Sequence, residues 1–142
     1  SYPLHTFNLL NEGVMQKIAK AFKLQPSEIA SATLDAGTVK ADGFSGPAEG
    51  KVAVGLTNPD GKVSYAYSAN GIGFWIAADG TASSWGDAPI YYEYDASGYG
   101  LTVGHNPGHS EKGKTYTIKP TMVYNKGGKL HKAVITIKMK FA

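Results

Sequence analysis

Both tryptophans of the chain fall within GFWIAADGTASSWGDAPIYYEYD, residues 73 to 95, with three of its nine tyrosines. Aromatic rings beside carboxylates suit sugar binding. The ring stacks on the apolar C–H face of a pyranose, and carboxylates accept hydrogen bonds from its hydroxyls. In IYYEYD a period of two puts Ile90, Tyr92 and Tyr94 on one face and Tyr91, Glu93 and Asp95 on the other. The first set is enough for a core. Tyr91 is then left beside two carboxylates on a wet face, or flat on the sheet against a cross-strand neighbour.

The tryptophans depend on the turn between them. A two-residue loop at Asp79-Gly80 pairs Trp85 with Phe74 and sends Trp75 to the opposite side. A three-residue loop over 79–81 sets Trp75 and Trp85 opposite each other. Asp-Gly favours the shorter loop, so one indole is expected outside the core. Trp85 stands just before GDAP, where the hairpin ends. There it either offers a ligand platform or plugs the end of the core. The candidate ligand set is Trp75, Trp85 and Tyr91 for stacking, with Asp87, Glu93 and Asp95 for hydroxyl contacts.

Reactive chemistry is weakly supported. Glu93 and Asp95, at alternate strand positions, would stand roughly 6–7 Å apart, within range for glycoside hydrolysis. Such pairs are common on wet strand faces, and a small domain offers little wall for a cleft. His105 and His109 in GHNPGHSEKG are four apart, but Pro107 and Gly108 make a turn there and no third ligand is evident. NPDG, ADG and DASG lack the dense oxygen series calcium needs and are turn signals. No nucleophile elbow, P-loop or dinucleotide fingerprint is present. The chain is read as a non-enzyme with no catalytic residue, no metal and no cofactor.

The charge narrows the partners. There is no cysteine, hence no disulfide framework or thiolate site. The net charge is +3, and all 14 basic residues are lysine. Without arginine, bidentate contacts to phosphate and guanine are missing, which argues against nucleic acid. Residues 112–142 hold eight lysines and no acidic residue. Those lysines guard sheet edges from aggregation, or form a patch for an anionic ligand or protein partner. No apolar run approaches the roughly 20 residues of a membrane helix. The chain opens on Ser1 rather than Met, as expected of a piece cut from a longer precursor.

The elements that must position these residues are mostly strands. One domain is expected over 1–142, with a helical region at about 11–32 and strands from about 38 to 141. SYPLHTF suits a short edge strand. NEGVMQKIAKAFKL reads as a helix with Val14, Ile18, Ala21 and Phe22 on one face, flanked by Met15 and Ala19, and closed at Gln25-Pro26. PSEIAS restarts a helical turn, and 33–50 is mostly loop with a short strand near Thr38–Lys40. KVAVGLT and KVSYAYS flank NPDG, GFWIA and TASSW flank ADG, and NKGGK joins KTYTIKPTMVY to HKAVITIKMKF. In the last strand Ala133, Ile135, Ile137, Met139 and Phe141 alternate with Val134, Thr136, Lys138 and Lys140. In its partner Tyr116, Ile118, Met122 and Tyr124 face one way, and Pro120 implies an edge or bulge. One buried and one wet face per strand predicts an antiparallel β-sandwich of seven to nine strands with an N-terminal α-helix.

GIGFWIAADGTASSWGDAPIYYEYD, then YGLTVGHNPGHSEKGKTYTIKPTMVY and a terminal alternating strand, resembles an uncharacterised Bacteroidetes domain family. The signposts are aromatic–DG–SWGD, NPG and GKTYTI, in that order, over about residues 63–142. That family occurs in secreted and outer-membrane lipoproteins, often near polysaccharide-degrading systems. The resemblance implies a secreted, periplasmic or outer-membrane surface location through a lipid anchor outside this chain, and a role in glycan capture. It carries no catalytic residues over. Family members often have glutamine where His105 stands, which speaks against a metal role there. The leading expectation is a non-catalytic module binding polysaccharide through exposed aromatics. The alternative is a structural spacer or protein-interaction domain, and a third is a small glycosidase.

Overall fold

The computed structural model describes residues 4–8, 12–25, 33–34, 45–65, 72–95 and 100–140, and side chains within 16–25, 45–65, 73–93 and 102–140. The expected mainly antiparallel sandwich with an N-terminal helix is present. The elements are β1 (Leu4–Asn8), α1 (Glu12–Phe22), β2 (Thr33–Leu34), β3 (Lys51–Thr57), β4 (Val63–Tyr65), β5 (Ile72–Ile76), β6 (Ala82–Ser83), β7 (Ile90–Asp95), β8 (Gly100–His105), β9 (Thr115–Ile118), β10 (Pro120–Lys126), β11 (Lys129–Val134) and β12 (Ile137–Lys140). One sheet runs β1-β8-β7-β5-β6 and a second β11-β10-β3-β2, with β4 also on β3. β9 and β12 form a two-stranded ribbon. The short β2–β3 pair is parallel, and the other described pairs are antiparallel.

The described strands exceed seven to nine for physical reasons. β2 lies in a stretch expected to be loop. Each of the two C-terminal strands is cut in two, at Lys119 and at Ile135–Thr136. The register survives the cut: Thr121 faces Val134 and, three residues on in each strand, Ile118 faces Ile137. One long hairpin therefore passes from the second sheet into the ribbon without gaining or losing a residue. The break falls just before Pro120, which has no N–H for the ladder. Its turn has two central residues, Gly127 and Gly128, with φ of +65° and +78°, as a two-residue hairpin loop of the favoured twist requires. The carboxylate of Glu49 accepts from both their N–H groups, at 2.6 and 2.8 Å.

The two sheets, the ribbon and α1 close on one core. Val52, Val54 and Leu56 of β3 and Met122 of β10 meet Ile76, Ile90, Tyr92 and Val103 of the first sheet. Tyr116, Ile118, Ala133 and Ile137 extend the core along the long hairpin. The predicted alternation holds in β9 and β12 but not in β10, where Thr121 and Val123 on the expected wet face are buried too. Tyr92 stitches the layers together, its buried hydroxyl donating to Gly55 O at 3.2 Å. Burial pushes that phenol's pKa well up. α1 buries Ile18, Ala19 and Phe22, while Ala21 is exposed. The apolar face is thus turned toward Ala19 rather than Ala21. The Val14 and Met15 side chains, the PSEIAS turn, the Thr38–Lys40 strand and Phe141 lie outside the described residues. The helix ends before Gln25-Pro26. Lys23 takes φ +59°, and Leu24 N–H donates back to Ala19 O at 3.0 Å, the closure of a Schellman-type cap.

Candidate functional site

β5 and β7 position the first aromatic group. Phe74 and Tyr92 lie opposite each other facing inward, their rings stacked with centroids 5.4 Å apart. Strand alternation then puts Trp75 and Tyr91, also directly opposite, on the outward face. Their rings meet edge-on, centroids 5.6 Å apart at 65°. Both are half-buried. Tyr91 faces Gly104 on its other side, and its Cε1, Cζ and Oη stand 2.7–2.8 Å from where a Cβ at 104 would be. The ring thus lies across the bare backbone of Gly104, as the alternative sequence expectation for Tyr91 had it. Glu93, one step along β7, is exposed between Gly73 and Thr102. The Asp95 side chain lies outside the described residues; its backbone pairs with Gly100.

The turn between the tryptophans matches neither expected form. Ile76 faces Ala82 and Trp75 faces Ser83. Ala77 N–H donates to Thr81 O at 2.8 Å, which leaves residues 78–80 as the loop. Asp79 accepts from Thr81 N–H at 2.9 Å, and Gly80 takes φ +91°. These are the marks of a three-residue loop with glycine in the left-handed position. The Thr81 backbone N–H, then its side chain, hold the Asp79 carboxyl below its usual pKa. β6 ends at Ser83, so Trp85 pairs with neither Phe74 nor Trp75 and opens a 3-10 turn over Trp85–Asp87.

That turn carries the second group. Trp85 is 57% exposed. Its ring meets His109 edge-on, centroids 4.8 Å apart. Asp87, in the same turn, is exposed. Buried Asn106 fixes the turn: its Nδ2 donates to Trp85 O at 3.1 Å and Ala88 O at 2.9 Å. Its backbone N–H donates to Pro89 O, and its carbonyl accepts from His109 and Ser110 N–H. His105 Nδ1 is 2.8 Å from Ser110 Oγ. Among the described residues no three His, Asp or Glu side chains gather as metal ligands.

The six sequence candidates therefore divide. Trp75, Tyr91 and Glu93 share the open face of the first sheet, and Trp85 and Asp87 share a turn at its end. His109 enters as a partner of Trp85, a contact the spacing of the histidines could not show. Asn106 was visible only as the first residue of the NPG signpost. A separate shallow depression of about 530 Å³, lined by Asn58, Asp60, Lys62 and Thr81 among others, contains none of the candidates.

A model for a domain of unknown function, DUF4859, matches residues 1–129. The chain belongs to the DUF4859 family. No curated protein matches it, and no solved structure does. No helix among the described residues of this DUF4859 domain is long and apolar enough to cross a membrane.

Proposed function

We propose that this DUF4859 domain is a non-catalytic carbohydrate-binding module of a secreted or cell-surface bacterial protein. The observation that carries the proposal is Trp85. Its indole is 57% exposed, yet the backbone beneath it is fixed by both hydrogen bonds from Asn106. Full burial of a large apolar side chain contributes roughly 1.5–3 kcal/mol, so an indole held in water forgoes much of that. A rigid, exposed ring is also pre-ordered for a ligand, since little freedom remains to be lost on binding. Trp85 offers the primary stacking surface for a pyranose, with Asp87 beside it as a hydroxyl acceptor. The Trp75–Tyr91 pair and Glu93 offer a second contact along the same sheet, and Asp95 is its remaining candidate.

The test is intrinsic tryptophan fluorescence during titration with plant and host polysaccharides, for wild type and Trp85→Ala. A saturable shift that resists salt and is lost in the folded variant supports sugar stacking. No response from any neutral glycan would overturn the proposal and leave the spacer or protein-interaction role, to be pursued by searching for a protein partner.

A further inference from the structure

The long C-terminal hairpin carries a surface of different character. Its inward side is apolar, with Tyr116, Ile118 and Ile137 in the core. The same alternation and register fix its outward side. Thr115 faces Lys140 and Thr117 faces Lys138. Lys119 and Thr136, both exposed, stand one step on, at the interruption. Three successive steps, about 7 Å apart, each bring together one ammonium and one hydroxyl. Beyond them the outward side of β10 is covered, with Thr121 and Val123 buried, and Lys132, across from Val123, stands exposed at its edge. All four lysines are exposed. None makes an ion pair among the described residues, where the pair present is Lys114–Glu111. The outward positions of β9–β12 include no carboxylate and no aromatic ring.

We infer that this ribbon binds a linear acidic polysaccharide laid along the hairpin. Each ammonium meets a carboxylate or sulfate, and the threonine across from it meets a neighbouring sugar hydroxyl. The charges are aligned for a polyanion, because like charges repeated along one face without counter-charge attract one. Nucleic acid is a poorer fit: the face has no ring for base stacking and the chain no arginine. An anionic bilayer is also a poorer fit. The exposed large apolar side chains here, Leu130 and Val134, are confined to β11 and absent from the three threonine–lysine steps. The ribbon shares no residue with either aromatic group, so this inference goes beyond the neutral-sugar proposal and fails separately from it.

The test titrates polygalacturonate and heparin, with dextran, duplex DNA and phosphatidylglycerol vesicles beside them, at about 50 and about 300 mM NaCl. Two variants carry the same net charge. One changes Lys119, Lys132, Lys138 and Lys140 to Gln; the other changes Lys17, Lys20, Lys62 and Lys112 to Gln. All eight lysines are exposed, so both variants should fold. The expected result is polygalacturonate binding that weakens at least about tenfold at the higher salt. The ribbon variant should lose at least about tenfold and the control variant less than about threefold. Thr115→Val with Thr117→Val, which leaves every charge in place, should weaken binding by about two- to fivefold. Equal losses in both lysine variants would reduce the effect to net charge and overturn the inference. So would no polygalacturonate binding at low salt, or tighter binding of DNA or vesicles than of the polysaccharides.

Discussion

The Trp75–Tyr91 and Trp85–His109 pairs use similar ring contacts, 5.6 and 4.8 Å between centroids, on very different supports. Trp75 and Tyr91 stand directly opposite on neighbouring strands, so the sheet ladder fixes their backbone, and the Tyr91 ring covers Gly104. Part of their surface is already used for packing. Trp85 stands on a turn with no ladder beneath it. Its position comes from one buried asparagine, and its ring from one imidazole. Exposure of an aromatic ring is therefore informative only together with its support. A ring that covers a glycine stabilises the sheet whether or not a ligand exists. A ring held out on a pinned turn stabilises little that a smaller residue would not.

The largest test of this contrast is Asn106→Ala. It removes the donor from the buried bond to Ala88 O and leaves the part-buried Trp85 O with the longer bond from Ala88 N–H. A loss of about 1–3 kcal/mol is therefore expected in urea unfolding, with greater rotational freedom of Trp85 by fluorescence anisotropy. An unchanged stability and anisotropy would show that the turn holds itself. Next come the tryptophans. Trp75→Ala should cost about 1–2 kcal/mol of stability, while Trp85→Ala should stay within about 0.5 kcal/mol and lower glycan affinity about tenfold. Reversal of that order would exchange the roles of the two pairs. Gly104→Ala is subtler, because it pushes the Tyr91 ring off its seat without removing any aromatic. Less than about 1 kcal/mol should be lost, since the atoms displaced are the far end of the Tyr91 side chain rather than backbone. A clear drop in glycan affinity there would make Tyr91 part of the site rather than of the sheet.

The smallest expected effect concerns the grip of Glu49 on the Gly127–Gly128 turn. The backbone N–H groups of Gly127, then Gly128, hold the Glu49 carboxyl below its ordinary pKa of 4.5. A carboxyl with a lowered folded-state pKa contributes stability above its unfolded pKa and loses that contribution as pH falls through the folded one. Glu49→Gln should therefore lower the unfolding midpoint slightly at neutral pH, and the gap from wild type should close as the pH falls below 4.5 toward the lowered value. A gap of constant size across that range would mean that the carboxylate's charge does not contribute.

Much of the fold was legible in the residues. The period of two in TYTI and KAVITIKM placed the core side of β9, β11 and β12 correctly, because alternation is a property of the strand itself. Ile90 and Tyr92 were assigned to the core for the same reason. In β10 the alternation fails, because Thr121 and Val123 on the other face are buried as well. Pro120 announced a disturbance, though not that one hairpin would bend from a sheet into a ribbon there. The Asp79-Gly80 turn was visible as a turn, but its length was decided by a side-chain bond from Asp79 and the left-handed Gly80. One residue of difference in that loop changes which rings meet.

The residues alone determined the class of the fold, the outward placing of Tyr91 and Glu93, and the absence of arginine and cysteine chemistry. Each of these follows from local periodicity or composition. Packing decided that Trp85 is the exposed indole, that His109 and Asn106 are its neighbours, and which threonines stand across from the lysines that strand alternation had already put on one side. Those facts depend on loop length and on contacts between segments about 20 residues apart. No local pattern encodes them, because the free energy that fixes them arises only when the segments are packed together.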